Sequence, residues 1–317
     1  LNVEGKGDGK IAIPAKKFYD ITQNLIDKEL MIESTQNYKL SIKTKGGRWS
    51  ITGEDPNEFP MPAELEEVKK IEIDQSILNR YLSKAIHAAS TDELRRSMNG
   101  VFFELNNKEL RVVSTDGHRL VRIIKSDFKY EGDKYSILVP VKTCSLITRL
   151  FKNDSNSNVE MDINNEFLKC SYDDVTITTR LIDDTFPNYE SVIPTDNEKK
   201  LKVNKESLSG AVKRSIIMSD QVTNRTSFTV NEGELKIRAA NNEYGTDSEE
   251  TVDCSYTEAE EFEIAFNGKY LLDAINQFDS DDVLFDFSTP LKATILRPSE
   301  QSEGEEMIML VMPVRNV

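Results

Sequence analysis

Three stretches of the 317-residue chain can be laid over one another: IAIPAKKFYDITQNLID at 11–27, ILVPVKTCSLITRLFKN at 137–153 and IAFNGKYLLDAINQFDS at 264–280. Each holds an apolar strand end, a two-residue break, a lysine (Lys16, Lys142, Lys269) and an amphipathic helical pattern, and the offsets are 126 and 127 residues. A second pair, IEIDQSILNRYLSKAIHAAS at 71–90 and LKVNKESLSGAVKRSIIMSD at 201–220, matches at an offset of 130, with Asp74 and Asn204 in the N-cap position of a helix. Phe-Pro pairs at 59–60 and 186–187 keep the spacing of 127. Self-similarity at a fixed period means one structural unit used several times, which constrains the fold before any single motif does.

Between the helical patterns run segments such as GVFFELNNKELRVVSTDG (100–117) and TSFTVNEGELKIRAANN (226–242), whose alternating apolar residues and Asn/Gly turns predict antiparallel hairpins. The expected fold class is therefore α+β: a repeated, strand-rich domain with two helices packed on antiparallel sheets. Polar stretches at 64–70 (ELEEVKK) and 194–200 (PTDNEKK) suit linkers and place domains at 1–66, 67–196 and 197–317. The first copy has no counterpart of the helix at 71–90, which would fall before residue 1. The chain thus reads as two and a half domains, with the N-terminal half of the first missing, and is expected as given to be a monomer or poorly ordered at its N-terminal end.

Charge narrows the partners. The chain carries 55 acidic against 40 basic residues, a net charge of -15, and as a whole repels nucleic acid and anionic membrane. Yet the five helical windows (15–28, 75–89, 141–153, 205–219, 268–278) hold 12 Lys or Arg against 4 Asp or Glu. In 75–89 an apolar stripe of Leu78, Tyr81, Leu82, Ala85 and Ala89 is set apart from Arg80, Lys84 and His87; in 141–153 Cys144, Ile147, Leu150 and Phe151 oppose Lys142, Arg149 and Lys152. Two readings stand: basic side chains that solvate exposed helix faces, or a surface that meets phosphates. With no aromatic ladder and no groove-reading motif, such a surface would be blind to sequence. Three scattered cysteines, no CxxC pair and no signal or membrane-spanning segment indicate a reducing cytoplasm, with no cofactor or metal expected.

One motif asks for chemistry. STDGHRL (114–120) sets Asp116, Gly117 and His118 side by side. A hydrolase using Asp116 and His118 is one reading, but no HExxH, GxSxG or glycine-rich phosphate loop accompanies them. The other is a tight Asp-Gly turn between LRVVS and HRLVRII, in which Gly supplies a positive φ. The turn accounts for Asp-Gly and leaves His-Arg-Leu unexplained.

TDGHRL at 115–120, DDTFPNY at 183–189 and VMPVRNV at 311–317 resemble the signature segments of the bacterial sliding clamp family, the beta subunit of DNA polymerase III. The threefold repeat and the basic helices agree with it along the whole chain. The resemblance implies a ring of two protomers joined head to tail, with helices lining the hole around duplex DNA and sheets outside. A member of that family would be a processivity factor of DNA replication and not an enzyme. DNA-facing positions would be Lys16, Arg80, Lys84, Lys142, Arg149, Lys152 and Lys213. The homodimer would close by the edge around Arg48, Trp49 and Ile51 meeting the helix around Ile217 and Met218. A cleft for short peptides with a Gln and an apolar Leu-Phe pair would be built from Met98, Thr115, Gly117, His118, Arg119, Leu120, Pro187, Val192, Pro290, Leu310, Met312, Pro313, Val314 and Arg315. Implied partners are the DNA polymerase III catalytic subunit, the clamp-loader complex, and other polymerases and repair proteins carrying the motif. Ser191 stands where some members place arginine, Pro290 and Val314 vary on the family's theme, and Asn316–Val317 extend past the usual end.

Overall fold

The computed structural model describes residues 4–5, 7–26, 29–35, 37–60, 64–151 and 157–314. The chain divides into two compact units, Leu1–Glu64 and Leu65–Val317. The first contains α1 (Ala15–Gln23), β1 (Met31–Ser34), β2 (Lys39–Lys43) and β3 (Arg48–Thr52), the strands forming an antiparallel sheet in the order β1-β2-β3. Leu40, Ile42 and Ile51 are its buried centre, with Ile11, Phe18, Ile21 and Trp49 packed against them. This corrects one interface expectation. Ile51 is 4% exposed because its side chain completes that small core, so of the three residues expected at this edge only Arg48 and part of Trp49 are accessible.

The second unit runs β4 (Lys69–Asp74), α2 (Gln75–Ala85), β5 (Gly100–Asn106), β6 (Glu109–Thr115), β7 (Arg119–Ser126), β8 (Tyr135–Pro140), α3 (Val141–Leu150), β9 (Asn158–Ile163), β10 (Phe167–Tyr172) and β11 (Val175–Arg180). It continues with β12 (Lys199–Asn204), α4 (Lys205–Met218), β13 (Arg225–Asn231), β14 (Glu234–Asn241), β15 (Thr246–Tyr256), β16 (Phe262–Asn267), α5 (Gly268–Ile275), β17 (Asp282–Phe287), β18 (Thr294–Pro298) and β19 (Glu305–Val311). The helices α1, α3 and α5 start at residues 15, 141 and 268, and α2 and α4 at 75 and 205, so the sequence period is a structural one. Asp74, Asn204 and Asn267 cap α2, α4 and α5 by accepting from first-turn amides. Pro14 and Pro140 stand at the same place before α1 and α3, where a residue without an N–H ends the preceding extended segment.

Burial follows the two periods. β13 and β14 alternate buried and half-exposed residues along most of their length. Helix α2 buries Leu78, Tyr81, Leu82 and Ala85 and lies beside α3, while α4 lies beside α5 and on β14 and β15. A truncation such as Leu82→Ala in this fully buried stripe would cost about 2–5 kcal/mol through the cavity it leaves. Leu150 departs from its expected stripe and is 40% exposed, because α3 ends there and the apolar stripe passes to Phe151, which is 1% exposed.

Strands β11-β10-β9-β4 form one sheet and β16-β13-β14-β15-β12-β17-β18-β19-β7-β6-β5-β8 a second of twelve. The join that matters is β19 against β7. It pairs residues 305–311 with 119–125 in antiparallel register and carries the sheet without a break past the polar stretch at 194–200. Asn197 in that stretch is buried, donating to the carbonyls of Asp286 and Ala293 at 2.9 and 3.0 Å.

Candidate functional site

The STDGHRL segment is the connection between β6 and β7. Gly117 has φ +89°, a conformation that side-chain-bearing residues rarely adopt. Asp116 Oδ1 accepts from the amides of His118 (2.8 Å) and Arg119 (3.0 Å), and Thr115 Oγ1 accepts from the amide of Gly117 (3.1 Å) while donating to the Arg119 carbonyl (2.7 Å). Asp116 Oδ2 takes Arg119 Nε at 3.0 Å. Both carboxylate oxygens are thus occupied in holding the turn, and neither is placed to take a proton from a nucleophile or a water. His118 is exposed and stacks on the ring of Tyr270, centroids 6.2 Å apart.

Arg119 completes the joint. Its guanidinium reaches Asp273 Oδ2 at 2.6 Å and lies 4.5 Å above the ring of Tyr270, both on α5. At 14% side-chain exposure and with three partners, it locks the turn to α5 and is not a free cation awaiting a ligand. Behind it sits His87, in the 3-10 turn Ile86–Ala88 that follows α2; burial, reinforced by the Arg119 charge, pushes the pKa of its imidazole down to about 4. His87 therefore does not belong to the solvent-facing basic set.

Across the β7–β19 join Leu120 faces Leu310 and Arg119 faces Val311, and the amide of Met312 donates to the His118 carbonyl at 2.8 Å. Two chain regions far apart in sequence thus meet at one place. Leu120 and Leu310 belong to one apolar cluster with Val113, Leu138, Phe186, Tyr189 and Ala293. Phe186 stacks on Phe102 at 4.7 Å, with the Tyr189 ring 6.3 Å from each. Both leucines are closed over, 1% and 3% exposed, and form a floor. The accessible apolar groups are Met312 (39%) and Val192 (53%), with Pro187 exposed beside Phe186. Met98 ends the 3-10 turn Arg96–Met98; the adjoining Arg95 donates to the Asp116 carbonyl at 3.2 Å, so this loop abuts the motif.

The remaining cleft candidates go elsewhere. Pro313 bridges Phe266, and the amide of Val314 donates to the Ala265 carbonyl at 2.7 Å, so the segment crosses from β7 to β16. There Val314 and Pro290 line a concavity of about 680 Å³ with Leu291 and residues of β13–β16, which Leu120, Val192, Leu310 and Met312 do not line. Arg315 lies outside the described residues.

The basic positions also divide. Lys16 is exposed on α1 in its own unit; Lys142 and Arg149 on α3 and Lys213 on α4 are exposed as expected. Lys84 is not: its Nζ is 2.7 Å from Asp279 Oδ2 and donates to the Gln277 carbonyl, and only 8% of the side chain is accessible. Its place at the end of α2, under the segment that follows α5, explains the burial. Arg80 is half-buried, ion-paired with Glu305, which also accepts from the Tyr81 hydroxyl at 2.7 Å. Lys152 lies outside the described residues. Ile217 and Met218, 70% and 38% exposed at the end of α4, sit near Val222 (87%), and the Met218 carbonyl accepts from Thr246 Oγ1 at 3.1 Å.

Sequence reading missed Tyr270, Asp273, Tyr189 and Arg111. Tyr270 and Asp273 stand three apart on α5 and so share a face, a signal that could have flagged them.

Family models for the central and C-terminal domains of the DNA polymerase III beta subunit match residues 72–188 and 190–315. The beta sliding clamp of Proteus mirabilis is 30% identical over 275 residues, covering 87% of this chain and 74% of the relative. That of Haemophilus influenzae is 29% identical over 303 residues, 95% and 81%. Among solved structures, a sliding clamp from Bartonella birtlesii bound to griselimycin superposes with a TM-score of 0.92 at 28% identity, covering 100% of this chain and 84% of that one. A Pseudomonas aeruginosa clamp with ligand gives 0.91 at 27%, covering 100% and 85%. With the α+β clamp fold and its repeated helices in place, the chain belongs to the DNA polymerase III beta subunit family, the beta sliding clamps, and is a processivity factor of DNA replication and not an enzyme.

Proposed function

We propose that the surface around the β7–β19 join is the chain's peptide-binding groove, through which DNA polymerase III and other proteins are tethered. Family membership makes DNA and polymerase III its partners in general. The observation that carries the finer reading is the Met312 amide on the His118 carbonyl: it sets an accessible methionine beside the Asp116–Gly117 turn, above the Leu120–Leu310 floor. Methionine adapts to different side chains, and an apolar floor with few polar groups at its edge suits a short motif bearing a Leu-Phe pair. Each buried apolar side chain contributes roughly 1.5–3 kcal/mol before ordering costs, consistent with binding weak enough for partners to exchange. Clamp-loader subunits, other polymerases and repair proteins with such a motif would compete for it.

The same reading takes 67–196 and 197–317 as two clamp domains and 1–66 as part of a first, in a homodimeric ring around duplex DNA. Lys16, Lys142, Arg149 and Lys213 would face the phosphates, and Arg48 and Trp49 of one protomer would meet Ile217 and Met218 of the other. An acidic exterior with basic helices lets such a ring hold DNA without sequence preference. Among the described residues no helix is long and apolar enough to cross a membrane, and the proposed location is the cytoplasm.

The test is fluorescence anisotropy with a fluorescein-labelled peptide carrying a glutamine and a C-terminal Leu-Phe pair. Removing residues 312–317 should abolish binding and leave thermal unfolding of the second unit near that of the intact chain. Undiminished binding by the shortened chain would sink the assignment.

A further inference from the structure

We propose that Arg111 is a positioning residue for the groove: from β6 it holds the 3-10 turn Tyr189–Val192 against the sheet and thereby sets where Val192 stands on the rim. The inference rests on the peptide-groove reading above and names a residue that neither the motif nor the floor contains.

Arg111 is central to a polar cluster on the strand that leads into STDGHRL. Its Nη1 donates to Glu190 and, at 3.4 Å, to the Tyr189 hydroxyl, and lies 3.6 Å from Glu104 Oε1; its Nε donates to Glu109. Lys134 Nζ closes the far side at 2.7 Å from Glu104 Oε2. The Arg111 side chain is 23% exposed and Glu104 only 9%, so water screens this cluster less than an ordinary surface pair. The partners Tyr189 and Glu190 are 78 and 79 residues further along the chain, so the contact is a tertiary one.

The link to the groove runs through Tyr189. Its ring is buried in the cluster that contains Leu120 and Leu310, while Val192, three residues on in the same turn, is among the exposed apolar groups. That turn receives no side-chain cap at its start. Arg111 supplies the anchoring from outside, through the hydroxyl and carboxylate of its first two residues. A guanidinium presents several donors in a fixed plane and can serve Glu109, Glu190 and Tyr189 together; an ammonium on a flexible stem cannot hold the same set. Without the cation, Glu104, Glu109 and Glu190 would face one another with Lys134 alone between them. Glu190, 59% exposed, is the one free to swing out and take the turn with it.

The experiment uses the full chain, the labelled Gln…Leu-Phe peptide, four single variants (Arg111→Gln, Arg111→Lys, Glu190→Gln and the groove control Met312→Ala) and the combined Arg111→Gln and Glu190→Gln variant. Loss of a charge-assisted bond of this kind should weaken peptide binding about tenfold in Arg111→Gln, chiefly through faster dissociation. Arg111→Lys should recover part of the loss, and Glu190→Gln should lower affinity in the same direction. Combining Arg111→Gln with Glu190→Gln should be no worse than Arg111→Gln alone, because the two share one contact. Once loaded, Arg111→Gln should stay on circular DNA as long as the parent chain does, which separates a displaced rim from a damaged fold. Normal peptide affinity in Arg111→Gln, with binding lost in Met312→Ala, overturns the proposal. Should Arg111→Gln fail to fold, unchanged affinity in Glu190→Gln overturns it equally. Normal binding by Met312→Ala would instead strike the groove reading, and this proposal with it.

Discussion

Lys84 Nζ lies 2.7 Å from Asp279 Oδ2, tying the end of α2 to the segment that follows α5. The lysine is buried while the aspartate is 77% exposed, so the pair sits at the edge of a contact between the two repeats of the second unit. Arg80 and Tyr81, gathered on Glu305 of β19, make a second tie from the same helix. The basic residues of α2 are therefore used within the protein.

Lys84→Met should accordingly destabilise the second unit by about 1–3 kcal/mol, since the Gln277 carbonyl loses a charged donor and Asp279 loses its ion pair. Urea unfolding would show a lower midpoint at constant slope. If Lys84→Met unfolded like the parent chain and only lost DNA retention, Lys84 would be a phosphate contact after all.

The exposed cations behave differently. Replacing Lys142, Arg149 and Lys213 by Glu should leave the urea midpoint nearly unchanged and weaken retention on nicked circular DNA, with the deficit shrinking as salt rises. Gel filtration of loaded complexes at two salt concentrations measures this. Normal retention at low salt would mean that these faces do not meet DNA.

Periodicity made the repeat, the strand-and-helix order and the caps legible, because offsets of 126 to 130 residues and an Asp or Asn before a helix are local signals. The partition of the cations was not legible. Lys84 and Arg149 look alike on a helical projection, and only the segment folding back over α2 buries the first and leaves the second in water. Ile51 is similar: an edge strand shows its pattern in sequence but not which face its own small core claims. The proposed groove was half legible. TDGHRL and the C-terminal segment carry family signatures; the spacing of Tyr270 and Asp273 puts them on one face of α5 but does not say that Arg119 meets that face, and Arg111 reaches Tyr189 through a tertiary contact 78 residues apart.

His87 gives a pH prediction. Its folded value of about 4 lies below the ordinary 6.5, so the folded chain keeps it neutral where the unfolded chain protonates it. Its contribution to stability is complete above about pH 6.5 and is lost as pH falls toward 4. His87→Gln should flatten this part of the stability profile between pH 6.5 and 4. An unaltered slope in the variant would show that His87 is not the titrating group.

The Asp116–Gly117 turn offers the sharpest test of why the motif has its form. A Cβ on Gly117 would meet Arg95 at 3.6 Å, ordinary contact, so the penalty of a substitution comes from φ +89° and not from crowding. Gly117→Val should then cost about 1–2 kcal/mol or more, while Gly117→Asn, whose side chain tolerates positive φ, should cost less. The His118 carbonyl that receives the Met312 amide follows directly after this residue, so peptide affinity should fall in the same order, with valine worse than asparagine. Asp116→Ala should act through a separate route: it frees the amides of His118 and Arg119 and removes one of Arg119's two carboxylate partners. Anisotropy with the labelled peptide and urea unfolding, run on all three variants, distinguish the causes. Equal stability of the valine and asparagine variants would show that backbone strain does not dictate the glycine, and peptide binding untouched in all three would separate the turn from the groove.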